Sequence, residues 1–201
     1  METDRTAETS EPIHPLLARR WSPLAFDEAR PVEREKLLSI MEAARWAPSC
    51  FNEQPWRYLL CDRFSDPQSW SRALGCLVPG NQRWAERAPV LIAALSHKLF
   101  QRNGKTNRWS AHDNGAASEN MCLQACELGL AVHQMGGFDA DRLLREFKIP
   151  GSHQANAMIA LGYPGDPATL SDNDRRRQEK PRERDPIGSI AFLNAWGVGI
   201  R

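Results

Sequence analysis

The sequence predicts an α+β fold with layered helices and strands, and two observations carry that prediction. Helical and strand-like patterns are mixed along the chain without the strict strand, helix, strand repeat of a doubly wound sheet. The chain has 201 residues, of which 41% are hydrophobic and 25% charged, so one compact core is expected, built as a single domain over residues 13–201.

Residues 1–12 are rich in Thr, Ser and Glu and hold too little apolar surface to offset ordering entropy, so a disordered tail is expected there. From residue 32 to 47, Leu37, Met41 and Ala44 recur at helical spacing, and Pro48 closes the helix because the residue before a proline avoids helical angles. Aromatic and aliphatic residues mark a strand over 56–61, and a second strand follows Pro89 over 90–96. Residues 99–109 are polar and carry Gly and Asn. They read either as a solvated linker or as a functional loop.

A long central helix is expected over 110–130, apolar around much of its circumference, with Gly115, Ala116, Ala117 and Ser118 small enough for another helix to approach. Gly129 ends it. A short strand over 130–134, a helix over 139–147 and a last strand over 156–161 complete the pattern.

Composition excludes several classes of partner. With 26 Lys and Arg against 25 Asp and Glu, the formal charge of +1 supplies no one-signed field toward nucleic acid or acidic lipid. Residues 171–186, which include Arg175-Arg176-Arg177, hold six basic residues against five acidic ones, so that run is balanced too and no nucleic-acid binding is expected. The longest apolar run, residues 88–95, is far short of the roughly 20 residues that span a bilayer. The start of the chain lacks the basic and apolar segments of a secretory leader, and a cytoplasmic location without membrane attachment is expected. The cysteines Cys50, Cys61, Cys76, Cys122 and Cys126 have no Cys-x-x-Cys spacing and read as packed thiols. Neither they nor the five scattered histidines suggest a metal site.

The chain has no Gly-x-Ser-x-Gly elbow, Walker loop, Gly-x-Gly-x-x-Gly turn or His-Glu-x-x-His helix, so an enzymatic role points to a bound organic cofactor and no catalytic side chain is assigned. Four stretches bear on which cofactor. Arg19-Arg20-Trp21-Ser22-Pro23 brings guanidinium groups and a hydroxyl together, as a phosphate could use them. Ala47-Pro48-Ser49-Cys50-Phe51-Asn52-Glu53-Gln54-Pro55-Trp56 joins a helix end to a strand through a turn dense in donors and acceptors. Met135-Gly136-Gly137-Phe138-Asp139 would let backbone N–H groups approach a flat ligand, or is a turn capped by Asp139. Arg182-Glu183-Arg184 sets two arginines on one side of an extended segment, for a ligand or for solvent.

In this order the stretches resemble the nitroreductase family of FMN-dependent oxidoreductases, over residues 16–190, and the Ala-Pro-Ser-x-x-Asn-x-Gln-Pro-Trp pattern is the most distinctive. The resemblance implies a mixed or antiparallel central sheet flanked by helices, and an entwined homodimer with two FMN sites, each lined by both chains. It places Arg20, Ser22, Arg182 and Arg184, with Trp21, at the FMN phosphate and ribityl chain. Pro48, Ser49, Cys50, Asn52 and Asn81 then lie near the ribityl and ring, and Met135, Gly136 and Gly137 at the loop facing flavin N5.

The activity implied is hydride transfer from NADH or NADPH through FMN to a small planar or electrophilic acceptor such as a nitroaromatic, a quinone or a flavin, with ping-pong kinetics. Many members carry basic residues where this chain has Leu24 and Trp84. That departure keeps open a flavin storage or sensor protein without efficient turnover. A second alternative, a specialised enzyme such as a reductive dehalogenase, turns on the 99–109 loop, where Phe100 and Trp109 could cover the ring or anchor the core. Arg83, Arg87 or a partner-chain residue could supply the missing charge.

Overall fold

A computed structural model describes residues 5–200. Helices α1 (Pro15–Arg19) and α2 (Arg34–Arg45) lead into strand β1 (Trp56–Asp62), followed by α3 (Pro67–Gly75), α4 (Pro79–Ala85), β2 (Val90–His97) and the long α5 (Ser110–Glu127). Then come β3 (Ala131–Met135), α6 (Ala140–Glu146), β4 (His153–Gly162), α7 (Asp172–Glu179) and α8 (Ile187–Ile190). The four strands form one sheet in the order β1-β2-β4-β3, antiparallel at every pairing, so the open choice between mixed and antiparallel resolves to antiparallel.

The strand period of two divides the core between the faces of the sheet. Leu91, Ala93, Met158 and Ala160 point to one side, where Trp70, Trp84 and Leu143 of α3, α4 and α6 cover them. Val90, Ile92, Ile159 and Leu161 point to the other, against Ile40 and Ala44 of α2 and Ala117, Met121 and Ala125 of α5. Covered on both faces, β2 is buried from Val90 to Ser96, which is why its sequence is an unbroken apolar run.

Helix α5 meets α2 through the small residues anticipated for it, with Ala117 and Ser118 buried, while Gly115 opens to space. The short helices α1, α3, α4, α7 and α8 went unanticipated. Helix α3 is set by Asp66, whose carboxylate accepts the N–H groups of Gln68 and Ser69, and by Pro67 in the first turn. Helix α7 is set by Ser171, whose hydroxyl accepts Asp174 N–H.

The thiols of Cys61, Cys76 and Cys122 are buried and those of Cys50 and Cys126 partly so, and all five are free. Of the expected tail, residues 1–4 lie outside the described residues. Residues 5–12 have no helix or strand, yet Ala7 N–H donates to Ala18 O at 3.0 Å and the Arg182 guanidinium donates to Arg5 O, so this part is tied to the body.

Candidate functional site

At the β3 edge of the sheet lies a cleft of about 430 Å³. Arg20, Trp21, Ser22, Arg182 and Arg184 all line it, so the structure brings together two stretches 160 residues apart. The two arginines of the second stretch are used differently. Arg182 is turned inward, and its guanidinium donates to the carbonyls of Arg5, Ala18 and Arg20, closing the end of α1. Arg184 is exposed and donates to Glu183 O at 2.7 Å. Arg20 pairs with Glu119 at 3.3 Å and reaches Ser22 Oγ at 3.5 Å.

The cleft is strongly cationic. Arg5, Arg177 and Lys180 join the three expected arginines, against Glu183 as the one carboxylate of the lining. Burial, reinforced by Arg20, Arg184 and Arg5 nearby, holds the Arg182 guanidinium below its usual pKa. Among the described residues the buried Nε of Arg5, in the cleft wall, has no hydrogen-bond partner. An anion in the cleft would offset the repulsion among these guanidinium groups, so the residues present fit a phosphate.

His133 of β3 also lines this cleft, although it is not among the residues expected there. Its Nδ1 lies 2.9 Å from Pro23 O, which can only accept, so Nδ1 carries the proton. Burial pushes its pKa below the ordinary value, against the Pro23 bond and with help from Arg177. Gln178 was missed too. Its Oε1 accepts the N–H groups of Leu24 and Ala25, at 2.7 and 2.9 Å, and fixes the backbone beside the cleft. The spacing of His133 from Gly136 on an edge strand is the one sequence signal that could have pointed to the histidine.

The positions where a family cation was looked for are apolar and buried. Leu24 is in the core, and Trp84 stacks on Phe26 at 6.3 Å and tilts against His133 at 4.6 Å. Neither candidate substitute is free. Arg83 makes two contacts of 3.2 Å with the buried carboxylate of Asp174, and Arg87 pairs with Glu28 at 3.0 Å.

Past His133 the chain leaves β3 through Met135, Gly136 and Gly137, which with Asn81 lie outside the lining of the cleft. The carbonyl of Gly137 accepts Val78 N–H at 3.0 Å and the Asn81 amide at 3.1 Å, so Asn81 holds the glycine loop against α4. A Cβ on Gly137 would lie 2.8 Å from Asn81 Nδ2 and 2.9 Å from Val78 Cγ2, whereas one on Gly136 would meet nothing within 4 Å. Asp139 does cap α6, accepting Arg142 N–H at 2.8 Å.

The remaining expected residues, Pro48, Ser49, Cys50 and Asn52, lie at the opposite edge, just before β1. Ser49 Oγ accepts Gln54 N–H at 3.0 Å, and Cys50 N–H donates to Asp113 of α5 at 3.1 Å. Phe51, Asn52 and Gln54 have φ of 56°, 56° and 48°, a left-handed run that is costly for a phenylalanine and is held by these bonds.

The register sets Met135, the last residue of β3, level with Leu59 in the middle of β1, since Met135 pairs with Met158, Met158 with Ala93 and Ala93 with Leu59, and β1 begins three residues further toward that end of the sheet. Three strand spacings, about 14 Å, separate Leu59 from Met135, and the start of β1 is further still. The expected site residues thus form two groups on opposite edges of one chain.

Residues 17–69 and 65–163 match the Nitroreductase family. The chain belongs to that family. Among relatives, a 15.4 kDa protein of Mycolicibacterium smegmatis is 33% identical over 130 residues, covering 65% of this chain and 86% of that one. An NADH dehydrogenase of Thermus thermophilus is 29% identical over 167 residues, covering 68% and 79%. A solved oxidoreductase containing FMN is 35% identical with a TM-score of 0.89, covering 98% of both chains. A structure from Desulfovibrio desulfuricans in complex with FMN is 25% identical with a TM-score of 0.70, covering 94% and 99%.

These comparisons agree with the expected α+β nitroreductase fold and with FMN-dependent NAD(P)H oxidoreductase chemistry. Among the described residues no helix is long and apolar enough to cross a membrane.

Proposed function

We propose that this chain binds FMN in the arginine-lined cleft and transfers reducing equivalents from NADH or NADPH to a small planar or electrophilic acceptor, such as a nitroaromatic, a quinone or a flavin. The observation that carries the reading is the cationic cleft lined by His133 of the strand that leads into the glycine loop. Arg184 and Arg20 would hold the phosphate, Arg182 would fix the Arg20 backbone, and Asn81 would keep the loop of Gly136 and Gly137 in place. FMN, when bound, supplies the hydride-transfer chemistry. The chain's own part is to bind, orient and exclude water.

We infer further that the working unit is a homodimer, because the motif around Ser49 and Asn52 lies on the far edge from the cleft and a second copy can bring it there. The segment 187–200 supports this. Its hydrogen bonds close on itself and on Pro186, and it exposes Ile190, Leu193 and Trp196, the last at 91%. Apolar surface of that kind is characteristic of an interface.

Addition of FMN to purified protein should give a yellow complex whose flavin bleaches on anaerobic mixing with NADH or NADPH, and an acceptor screen then finds the oxidant. A colourless protein after soaking with excess FMN would overturn the proposal. A second reading, flavin storage without efficient turnover, is favoured by the burial of Leu24 and Trp84 and the pairing of Arg83 and Arg87. It predicts bound flavin that both nicotinamides leave oxidised.

A further inference from the structure

Around the motif before β1 the chain builds a second recess, of about 430 Å³, lined by Asn52, Glu53, Gln54, Arg57, Gln101 and Arg102. The loop after β2 supplies the outer wall and is ordered by its own backbone. Phe100 N–H donates to Lys105 O, Gly104 N–H to Phe100 O and Asn107 N–H to Lys98 O, at 2.7 to 2.8 Å, with Gly104 at φ +69° making the reversal. Glu53 ties loop and motif together. Its side chain, only 6% exposed, accepts Gln101 N–H at 2.8 Å and lies 3.7 Å from Arg102 Nε.

The charge of the loop is one-sided, and Arg102 is the one of its basic residues that lines the recess among the described residues. Residues 98–109 contain Lys98, Arg102, Lys105 and Arg108 and no carboxylate. Among the described residues only Arg102 of these four has a carboxylate partner, the inward-turned Glu53. The Arg102 guanidinium lies 3.6 Å over the exposed ring of Phe51, which meets Phe100 edge-on at 6.1 Å, so it is aligned by stacking. Arg57, on β1, is aimed by bonds from one guanidinium nitrogen to Gln54 O and Trp56 O, at 3.0 and 2.7 Å. Two guanidinium groups and three side-chain amides surround a recess that adjoins Asn52, with the one lining carboxylate, Glu53, held by Gln101 N–H and Arg102. In the proposed homodimer this edge of one copy meets the flavin cleft of the other, where a phosphate could be received.

We propose that this recess binds a phosphate of the dinucleotide reductant, with Arg57 and Arg102 as its ligands and Phe51 as the ring that sets Arg102. The inference rests on the FMN oxidoreductase and homodimer reading and deepens it, since NADPH offers two sources of that chemistry, the pyrophosphate and the adenosine 2′-phosphate, and NADH offers only the first.

The test uses the FMN-loaded protein, the Arg57→Gln, Arg102→Gln double variant and the charge-keeping Arg57→Lys, Arg102→Lys double variant. Calorimetry measures binding of adenosine 2′,5′-bisphosphate to the oxidised form, and anaerobic stopped flow measures flavin reduction by NADPH and NADH. Removal of both charges should weaken nucleotide binding about tenfold or more, with the lysine variant retaining most of it. Bound flavin and oxidation of the dithionite-reduced protein by a neutral quinone should stay unchanged.

A loss confined to NADPH and the bisphosphate assigns the 2′-phosphate, and an equal loss for NADPH and NADH assigns the pyrophosphate. Unchanged affinity for both nucleotides in a variant that keeps its flavin would overturn the proposal. Failure of the unsubstituted protein to hold flavin would instead overturn the reading on which it rests.

Discussion

Arg182 and Arg184 differ by two positions and by the work their guanidinium groups do. Arg184 makes one bond to a neighbouring carbonyl, so Arg184→Ala should weaken FMN binding in a fluorescence titration and leave the Tm of the flavin-free protein unchanged. Arg182→Ala removes donors to three backbone carbonyls and should lower both, at a cost on the order of 2 kcal/mol in stability. The pairing of these residues could be read from the Arg-x-Arg spacing. Their division of labour could not, because the partners of Arg182 are up to 177 residues away.

His133 gives a pH dependence. The folded chain holds it neutral, and the unfolded chain binds its proton below the ordinary value of 6.5, so unfolding takes up a proton on the acid side. The stability it supports is present above pH 6.5 and lost as pH falls toward its lowered folded value. Urea midpoints should fall across that window, and His133→Gln should flatten the fall.

At the scale of elements, the glycine loop separates two roles that the sequence left joined. Gly137→Ala drives a methyl into Val78 and Asn81 and should cost about 1–3 kcal/mol in chemical denaturation. Gly136→Ala meets no atom of its own chain, so it should leave stability intact and reduce FMN affinity if the loop faces the ring. Equal effects on stability would remove this distinction.

The long periodic elements, α2, β1, β2 and α5, were legible because burial on one or both faces writes a period into the residues. Helices α3 and α7 were not, since caps at Asp66 and Ser171 rather than an apolar repeat hold them in place. Helix α7 matters for the site, for Arg177 and Gln178 both line the cleft. The strand at His153–Gly162 runs three residues earlier than its apolar stretch, because Gln154 and Asn156 are used inside the protein, where their amides bond Ser96 and Asn114.

For the whole molecule, the proposed dimer ties assembly to cofactor retention. Truncation of 187–200 removes the exposed arm of Ile190, Leu193 and Trp196, and should shift the mass measured by light scattering toward the monomer while releasing flavin. A truncated monomer that stays yellow would contradict the shared site. The individual motifs were legible in the sequence. Their placement on opposite margins of the sheet follows from the order β1-β2-β4-β3, which no local pattern contains.

That placement makes damage divisible. If each functional centre draws one margin from either copy, a chain crippled at Arg184 and another crippled at Asn52 are each inert alone, yet a hybrid of the two unites both sound margins at one centre. Unfolding the two inert species together and refolding them should restore turnover that neither recovers when refolded by itself. Persistent inactivity of the mixture would mean that every centre is made by a single polypeptide.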